Sequence, residues 1–163
     1  MKTDSLIFGP VPSRRLGISL GIDIIPFKTC SLNCIYCECG ATNHLSLERR
    51  HFVDVVTVLS QLKQILKDLN HVDYITFSGS GEPTLNKDIG TMISEIKRLT
   101  SIPVAVLTNG TLLYRDDVAR DLLPADVILP SLDAVSEEVF SRINRPHPQM
   151  EMAVIIDGLI RFR

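Results

Sequence analysis

The sequence predicts an α/β fold in which about four parallel strands, flanked by helices, form an incomplete (β/α) barrel. Three observations carry this reading. Short apolar, β-branched runs alternate four times with segments of helical periodicity, every run ends in a loop of small or polar residues, and the cysteines all fall after the first run. Such alternation implies a parallel sheet with right-handed crossovers, buried by helices. At 163 residues, 45% of them hydrophobic and 22% charged, the chain suits one domain spanning residues 1–163 with a substantial core.

Residues 6–17 contain two prolines and two glycines and read as an irregular or edge segment. In residues 18–25, Ile18, Leu20, Ile22 and Ile24 alternate with Ser19, Gly21 and Asp23, which predicts the first strand; Pro26 ends it. Residues 52–69 place Phe52, Val55, Val56, Leu59, Leu62, Leu66 and Leu69 on one helical face. Residues 72–77 form the second strand, stopped by Ser78-Gly79-Ser80-Gly81-Glu82-Pro83. Asn86 is the expected cap of a helix running through Ile89, Met92, Ile93, Ile96 and Leu99.

The third strand is predicted over residues 102–107, closed by Thr108-Asn109-Gly110, and a short helix over 115–123. A fourth strand at 127–129 ends in Pro130-Ser131-Leu132-Asp133, and Ser136 with Glu137 and Glu138 marks the start of another helix. Residues 150–163 are helical in pattern. Four strands are few for a closed barrel, so the expected architecture is cut short before a fifth strand and carries an open edge. In parallel α/β folds the working loops gather at the carboxyl ends of the strands. All four polar loops are therefore expected on one rim.

Charge narrows the function. The net charge of -2 argues against broad attraction to nucleic acid, although residues 1–50 hold six basic and four acidic side chains and residues 51–163 eleven and fifteen. Arg14-Arg15 and Arg49-Arg50 flank the cysteines in sequence, either facing an anionic substrate or solvated at the surface. The opening residues show no signal-peptide pattern and no run is long enough to span a membrane, so a cytoplasmic protein without a membrane partner is expected.

Cys30, Cys34, Cys37 and Cys39 lie within ten residues, with none elsewhere. A disulfide scaffold would spread its cysteines to staple distant segments, so metal binding is the better account. Tetrahedral zinc completed by Cys39 or His44 is one reading, but zinc favours paired Cys-x2-Cys spacings and the first gap here holds three residues. An iron-sulfur cluster fits better, with Cys39, only two residues from Cys37, outside the ligand set. His44, His51, His71 and His147 show no ligand spacing, Met92, Met150 and Met152 sit on apolar stripes, and no general acid/base pair stands out.

The run Cys30-x3-Cys34-x2-Cys37 with Tyr36 before the last cysteine resembles the signature of radical S-adenosylmethionine (SAM) enzymes. Residues 9–17 and Cys37-Glu38-Cys39 look like an iron-sulfur oxidoreductase branch related to wyosine-synthesis enzymes. The resemblance implies a partial barrel of the radical SAM type and a 4Fe-4S cluster held by Cys30, Cys34 and Cys37. SAM would chelate the remaining iron, and the reduced cluster would cleave it to a 5'-deoxyadenosyl radical that takes hydrogen from a substrate. By the same resemblance Tyr36 lies against adenine, and Ser80-Gly81-Glu82-Pro83, preceded by Gly79, corresponds to the family's Gly-Gly-Glu-Pro loop that holds the SAM amino group. Ser131 and Asp133 correspond to positions reaching the ribose or the methionyl carboxylate, with Asn109 on the same rim; for Ser131 and Asp133, capping of the next helix is the competing reading. The family's fifth and sixth strands find no match here. An electron donor such as flavodoxin or ferredoxin is implied, with a small molecule, a tRNA or a protein as substrate. The contrasting expectation is a non-catalytic zinc or iron-sulfur interaction module.

Overall fold

The structure, a computed structural model, describes residues 5–69 and 71–162. The chain runs β1 (Ile7–Ser13), β2 (Gly17–Ile22), β3 (Thr29–Cys30), β4 (His44–Leu45), α1 (Val55–Asp68), β5 (Tyr74–Phe77), α2 (Ile89–Leu99), β6 (Val104–Thr108), α3 (Asp116–Leu122), β7 (Val127–Pro130), α4 (Glu137–Ile143) and α5 (Met152–Phe162). Arg163, expected at the end of the last helix, and residues 1–4, expected to lack a signal sequence, lie outside the described residues. No helix is long and apolar enough to cross a membrane among the described residues.

The four expected parallel strands are β2, β5, β6 and β7, lying side by side in that order, and β1 pairs antiparallel with β2. The segment read as irregular or edge is thus an edge strand. Among the described residues β1 and β7 are the two edges of an open five-stranded sheet. A small parallel pair, β3 with β4, was not foreseen, because two-residue strands leave no periodicity to read.

Register explains the core. Leu20 pairs with Ile75 and Ile75 with Val104; two residues on, Ile22 pairs with Phe77 and Phe77 with Val106. Strand side chains point to alternate faces, so these two rows share one face. There they join Val58 and Leu62 of α1 and Met92, Ile93 and Ile96 of α2 in one cluster. The row between them, Gly21, Thr76 and Ala105, is small, and a Cβ on Gly21 would meet the Phe8 ring of β1.

Local chemistry sets the helix ends. The Asp54 side chain accepts the Thr57 N–H at 3.0 Å to cap α1, and Ser136 accepts the Val139 N–H at 3.4 Å to cap α4, as its sequence predicts. Two sequence expectations need correction. On α1, Val56 is 71% exposed and Val58 is buried, because the stripe runs 55, 58, 59, 62 at helical spacing and position 56 falls outside it. Asn86 does not cap α2: it is buried, donates Nδ2 to the Ile24 carbonyl at 3.0 Å and accepts the Asp88 N–H at 2.8 Å, leaving Asp88 at the cap without a side-chain bond. A buried amide must be satisfied, and here it ties the chain after β2 to the start of α2.

The arginine pairs divide. Arg14 and Arg15 are exposed in the β1–β2 turn, which the Ser13–Gly17 pairing puts at the amino end of β2, away from the carboxyl-end rim. Arg49 is buried, donating to the Thr84 and Asn86 carbonyls and to Asp117 and Asp121, while Arg50 is exposed beside Glu48. Neither pair faces the cysteines.

Candidate metal and cofactor site

Loops at the carboxyl ends of the four parallel strands surround one open cavity of about 270 Å³. Cys30, Cys34, Cys37 and Tyr36 line it from the cysteine loop, Gly79, Gly81 and Glu82 from the loop after β5, Asn109 from the loop after β6, and Ser131 and Asp133 from the loop after β7. Ser80 and Pro83 do not line it. The single rim expected from the strand order is present, since parallel strands place every carboxyl end on one side.

The cysteine loop is held from three directions. The Ser46 N–H donates to the Cys30 carbonyl at 2.9 Å, and the Glu82 N–H to the Thr29 carbonyl at 3.1 Å. The last carbonyls of α4, which have no partner within their own helix, accept the Asn33 and Ile35 N–H groups at 3.0 and 2.9 Å. Helix α4 therefore docks its carboxyl end against the cysteine loop.

Each of the three inner thiols has a side-chain donor. Lys28 Nζ lies 3.1 Å from Cys37 Sγ, Asn109 Nδ2 lies 3.5 Å from Cys30 Sγ, and Asn144 Nδ2 lies 3.5 Å from Cys34 Sγ. Burial, then the Glu82 charge, pushes the Cys30 thiol up to about 11. Burial also opposes ionisation of Cys37, yet the Lys28 hydrogen bond and a backbone N–H prevail and hold that thiol below its usual range. Cys39 is exposed outside the cavity, its Sγ 3.9 Å from the Gly79 carbonyl, and burial and the neighbouring Cys37 raise it.

Glu82 is almost fully buried and forms part of the cavity floor. Its Oε1 accepts the Thr84 N–H at 3.0 Å, the Thr84 hydroxyl at 2.6 Å and the Thr108 hydroxyl at 2.7 Å, and its Oε2 accepts the Asn109 N–H at 2.8 Å. Burial pushes its carboxyl above the usual range, against the pull of these donors. Oε2 keeps a lone pair. Asn109, expected only as a further residue on the rim, is its hub: besides Cys30 it donates to Ser31 Oγ at 2.8 Å, and its Oδ1 accepts the Thr111 N–H at 3.0 Å.

Gly79 has φ +147, and a Cβ there would run into the Asp23 carboxylate. That carboxylate accepts the Ser80 N–H at 2.9 Å and the Ser80 hydroxyl at 2.7 Å, so Ser80 faces Asp23 and shapes the turn. Pro83 is buried at the start of a 3-10 turn, Pro83–Leu85.

Tyr36 is half exposed and its hydroxyl donates to Asp133 Oδ2 at 2.6 Å while accepting from Asn144 Nδ2 at 2.6 Å. Burial, then the hydrogen bond to Asp133 and the nearby Cys34 thiol, raise its phenol far above the usual range. The capping alternative for Ser131 and Asp133 falls away, because Ser136 caps α4 and the Ser131 N–H donates to the Thr108 carbonyl at 2.9 Å.

Sequence reasoning missed Lys28 and Asn144. Lys28 sits two residues before Cys30 and is marked only as the one charge between Asp23 and Glu38; Asn144 is more than a hundred residues from Cys34 and nothing local flags it.

The donor set fits a cluster with three protein ligands: three half-buried thiols face one cavity, and neither a histidine nor a fourth thiol lines it. Among the described residues no three His, Cys, Asp or Glu side chains converge on one point that could hold a single ion. A cubic cluster needs no such point, since its thiolates bind separate irons.

The family model of the Radical SAM superfamily matches residues 24–161, and the chain belongs to that superfamily, whose members normally use a 4Fe-4S cluster and SAM. It is 48% identical over 157 residues to a protein named GTPase Obg from Brachyspira hyodysenteriae, covering 96% of this chain and 23% of that one. It is 41% identical over 161 residues to a UPF0026 protein from Methanocaldococcus jannaschii, covering 98% and 50%. A more distant relative, GTP 3',8-cyclase from Clostridium acetobutylicum, is 28% identical over 134 residues, covering 80% and 39%. The chain thus spans less than two thirds of the length of each of these relatives.

Proposed function

We propose that this chain is the core of a radical SAM enzyme in which Cys30, Cys34 and Cys37 hold a 4Fe-4S cluster and SAM binds in the adjoining cavity. The observation that supports this best is the gathering of three thiols and three further carboxyl-end loops around one cavity of about 270 Å³. The bound cluster and SAM would supply one-electron cleavage of SAM and, through it, hydrogen abstraction from a substrate.

This chain's residues have distinct tasks in that reading. The free lone pair of Glu82 Oε2 accepts from the SAM ammonium, while Oε1 is committed to Thr84 and Thr108. Gly79 and Gly81 let the loop pack directly against Asp23 and the Thr29 carbonyl and so present its backbone to the cavity, Ser80 and Pro83 hold that turn in shape, and Tyr36, with its hydroxyl fixed by Asp133 and Asn144, offers a ring to adenine. Ser131 and Asp133 present hydroxyl and carboxylate oxygens to the ribose or methionyl group. Asn109 positions Cys30 and Glu82. Cys39 stays outside the ligand set.

The incomplete-barrel reading is part of this proposal, as is a cytoplasmic setting that keeps the thiols reduced. Likeness to wyosine-synthesis enzymes makes tRNA the first substrate class to assay, beside small molecules and proteins, with flavodoxin or ferredoxin as electron donor. The GTPase name of one relative is not carried over, because the sequence has no Gly-x4-Gly-Lys-Ser/Thr run to cradle phosphates. The competing class is a zinc or iron-sulfur module without catalysis.

Anaerobic reconstitution separates the two. The protein is expected to take up iron and sulfide in preference to zinc and to yield 5'-deoxyadenosine from SAM after reduction, whereas zinc preference or absence of 5'-deoxyadenosine overturns the enzyme reading. Cys34→Ala is expected to abolish the cluster and Cys39→Ala to leave iron content unchanged; equal losses would put Cys39 among the ligands.

A further inference from the structure

We propose that Lys28 sets the reduction potential of the cluster held by Cys30, Cys34 and Cys37, with Asn109 and Asn144 as weaker contributors; the inference rests on the proposed function. Lys28 is 2% exposed, and the only hydrogen bond its ammonium makes among the described residues is the 3.1 Å contact to Cys37 Sγ. No carboxylate of the described residues lies within ion-pair distance of it. A buried ammonium without an anion is costly, so its counter-charge must come from the thiolate side.

The backbone around Lys28 is built to deliver it. The residue adopts φ 58, a left-handed conformation unusual for a side chain other than glycine, and is pinned on both sides. Its N–H donates to the Ser80 carbonyl at 3.0 Å, and its carbonyl accepts the Asn43 and His44 N–H groups at 3.0 Å each. An irregular conformation fixed by three backbone bonds, ending in a buried charge on a sulfur, is the pattern of a functional position.

The other two sulfurs are served separately, Cys30 by Asn109 from the loop after β6 and Cys34 by Asn144 at the end of α4. A cluster with three thiolates is net negative and becomes more so on reduction. A fixed ammonium and two amide N–H dipoles on its sulfurs therefore favour the reduced form and raise the potential, with the ammonium acting most strongly. Glu82, whose charge reaches Cys30, pulls the other way.

The test is a redox titration of the anaerobically reconstituted protein, followed by electron paramagnetic resonance, with Lys28→Met, Asn144→Ala and the exposed-lysine control Lys63→Met. Lys28→Met is expected to keep the cluster signal and shift the midpoint to more negative values, Asn144→Ala to shift it less in the same direction, and Lys63→Met to leave it in place. A Lys28→Met cluster at the wild-type midpoint overturns the inference while leaving the proposed function standing. Should Lys28→Met take up no iron, Asn144→Ala decides, and an unshifted midpoint there overturns it. Wild-type protein that forms no cluster overturns the proposed function and this inference with it.

Discussion

Glu82 Oε2 accepts the backbone N–H of Asn109 across 2.8 Å, and the same Asn109 reaches Cys30 Sγ with its side-chain amide at 3.5 Å. The acid after β5, the amide after β6 and the first cysteine thus form one chain of contacts. A carboxylate nominated for cofactor binding is at the same time the joint that aligns two loops.

Replacing Glu82 is therefore expected to affect more than the SAM binding proposed for it. In Glu82→Gln the carbonyl oxygen satisfies the three donors at the Oε1 position, which turns the amide NH2 toward the Asn109 N–H and sets two donors face to face. The expected loss is about 1–3 kcal/mol of stability together with lower iron uptake, measured by urea unfolding and iron assay. Loss of SAM binding with unchanged stability would show that the joint is dispensable.

Gly81 is fixed by packing. A Cβ there would strike the Thr29 carbonyl, which accepts the Glu82 N–H at 3.1 Å immediately before Cys30. Gly81→Ala should cost about 1–3 kcal/mol and lower cluster content, because backbone cannot yield as a flexible side chain can. Calorimetry and the cluster's visible absorbance check both.

Arg49 anchors the far side of the site's framework. Its four hydrogen bonds join the 3-10 turn after Glu82 to α3, and Arg49→Ala should cost about 3–5 kcal/mol by leaving its partners without a cation. Hydrogen bonding from Arg115, then Arg49, holds the Asp117 carboxyl well below its usual 3.8 despite some burial. A carboxyl depressed by folding contributes stability above its unfolded value and loses it as pH falls through the folded one. Urea midpoints should accordingly fall on acidification below about pH 4, and Asp117→Asn should flatten that acid limb; an unchanged slope would refute the linkage.

What could be read in advance followed from local pattern. Alternating apolar residues in 18–25 and helical spacing in 89–99 are written into neighbouring side chains, so β2 and α2 were legible, as were Ser136 as a cap and the three cysteines by their spacing. Asn86 and the β3–β4 pair were misread or missed because their environment is supplied by distant segments, whereas Val58 was already marked by the helical spacing of α1. Arg49 could not be told from Arg50, since only the placement of α3 brings Asp117 and Asp121 to one of them.

By itself the sequence determined the alternation of strands and helices, the three-thiol motif and the rim on which the polar loops meet, because short-range periodicity and parallel topology suffice for these. Only the tertiary structure decided which groups touch the sulfurs. Lys28 is aimed at Cys37 by a left-handed backbone held by Ser80 and β4, and Asn144 reaches Cys34 only because the carboxyl end of α4 docks on the cysteine loop. The contacts to sulfur span 3.1 to 3.5 Å, and contacts that short are set by packing between segments far apart in the chain.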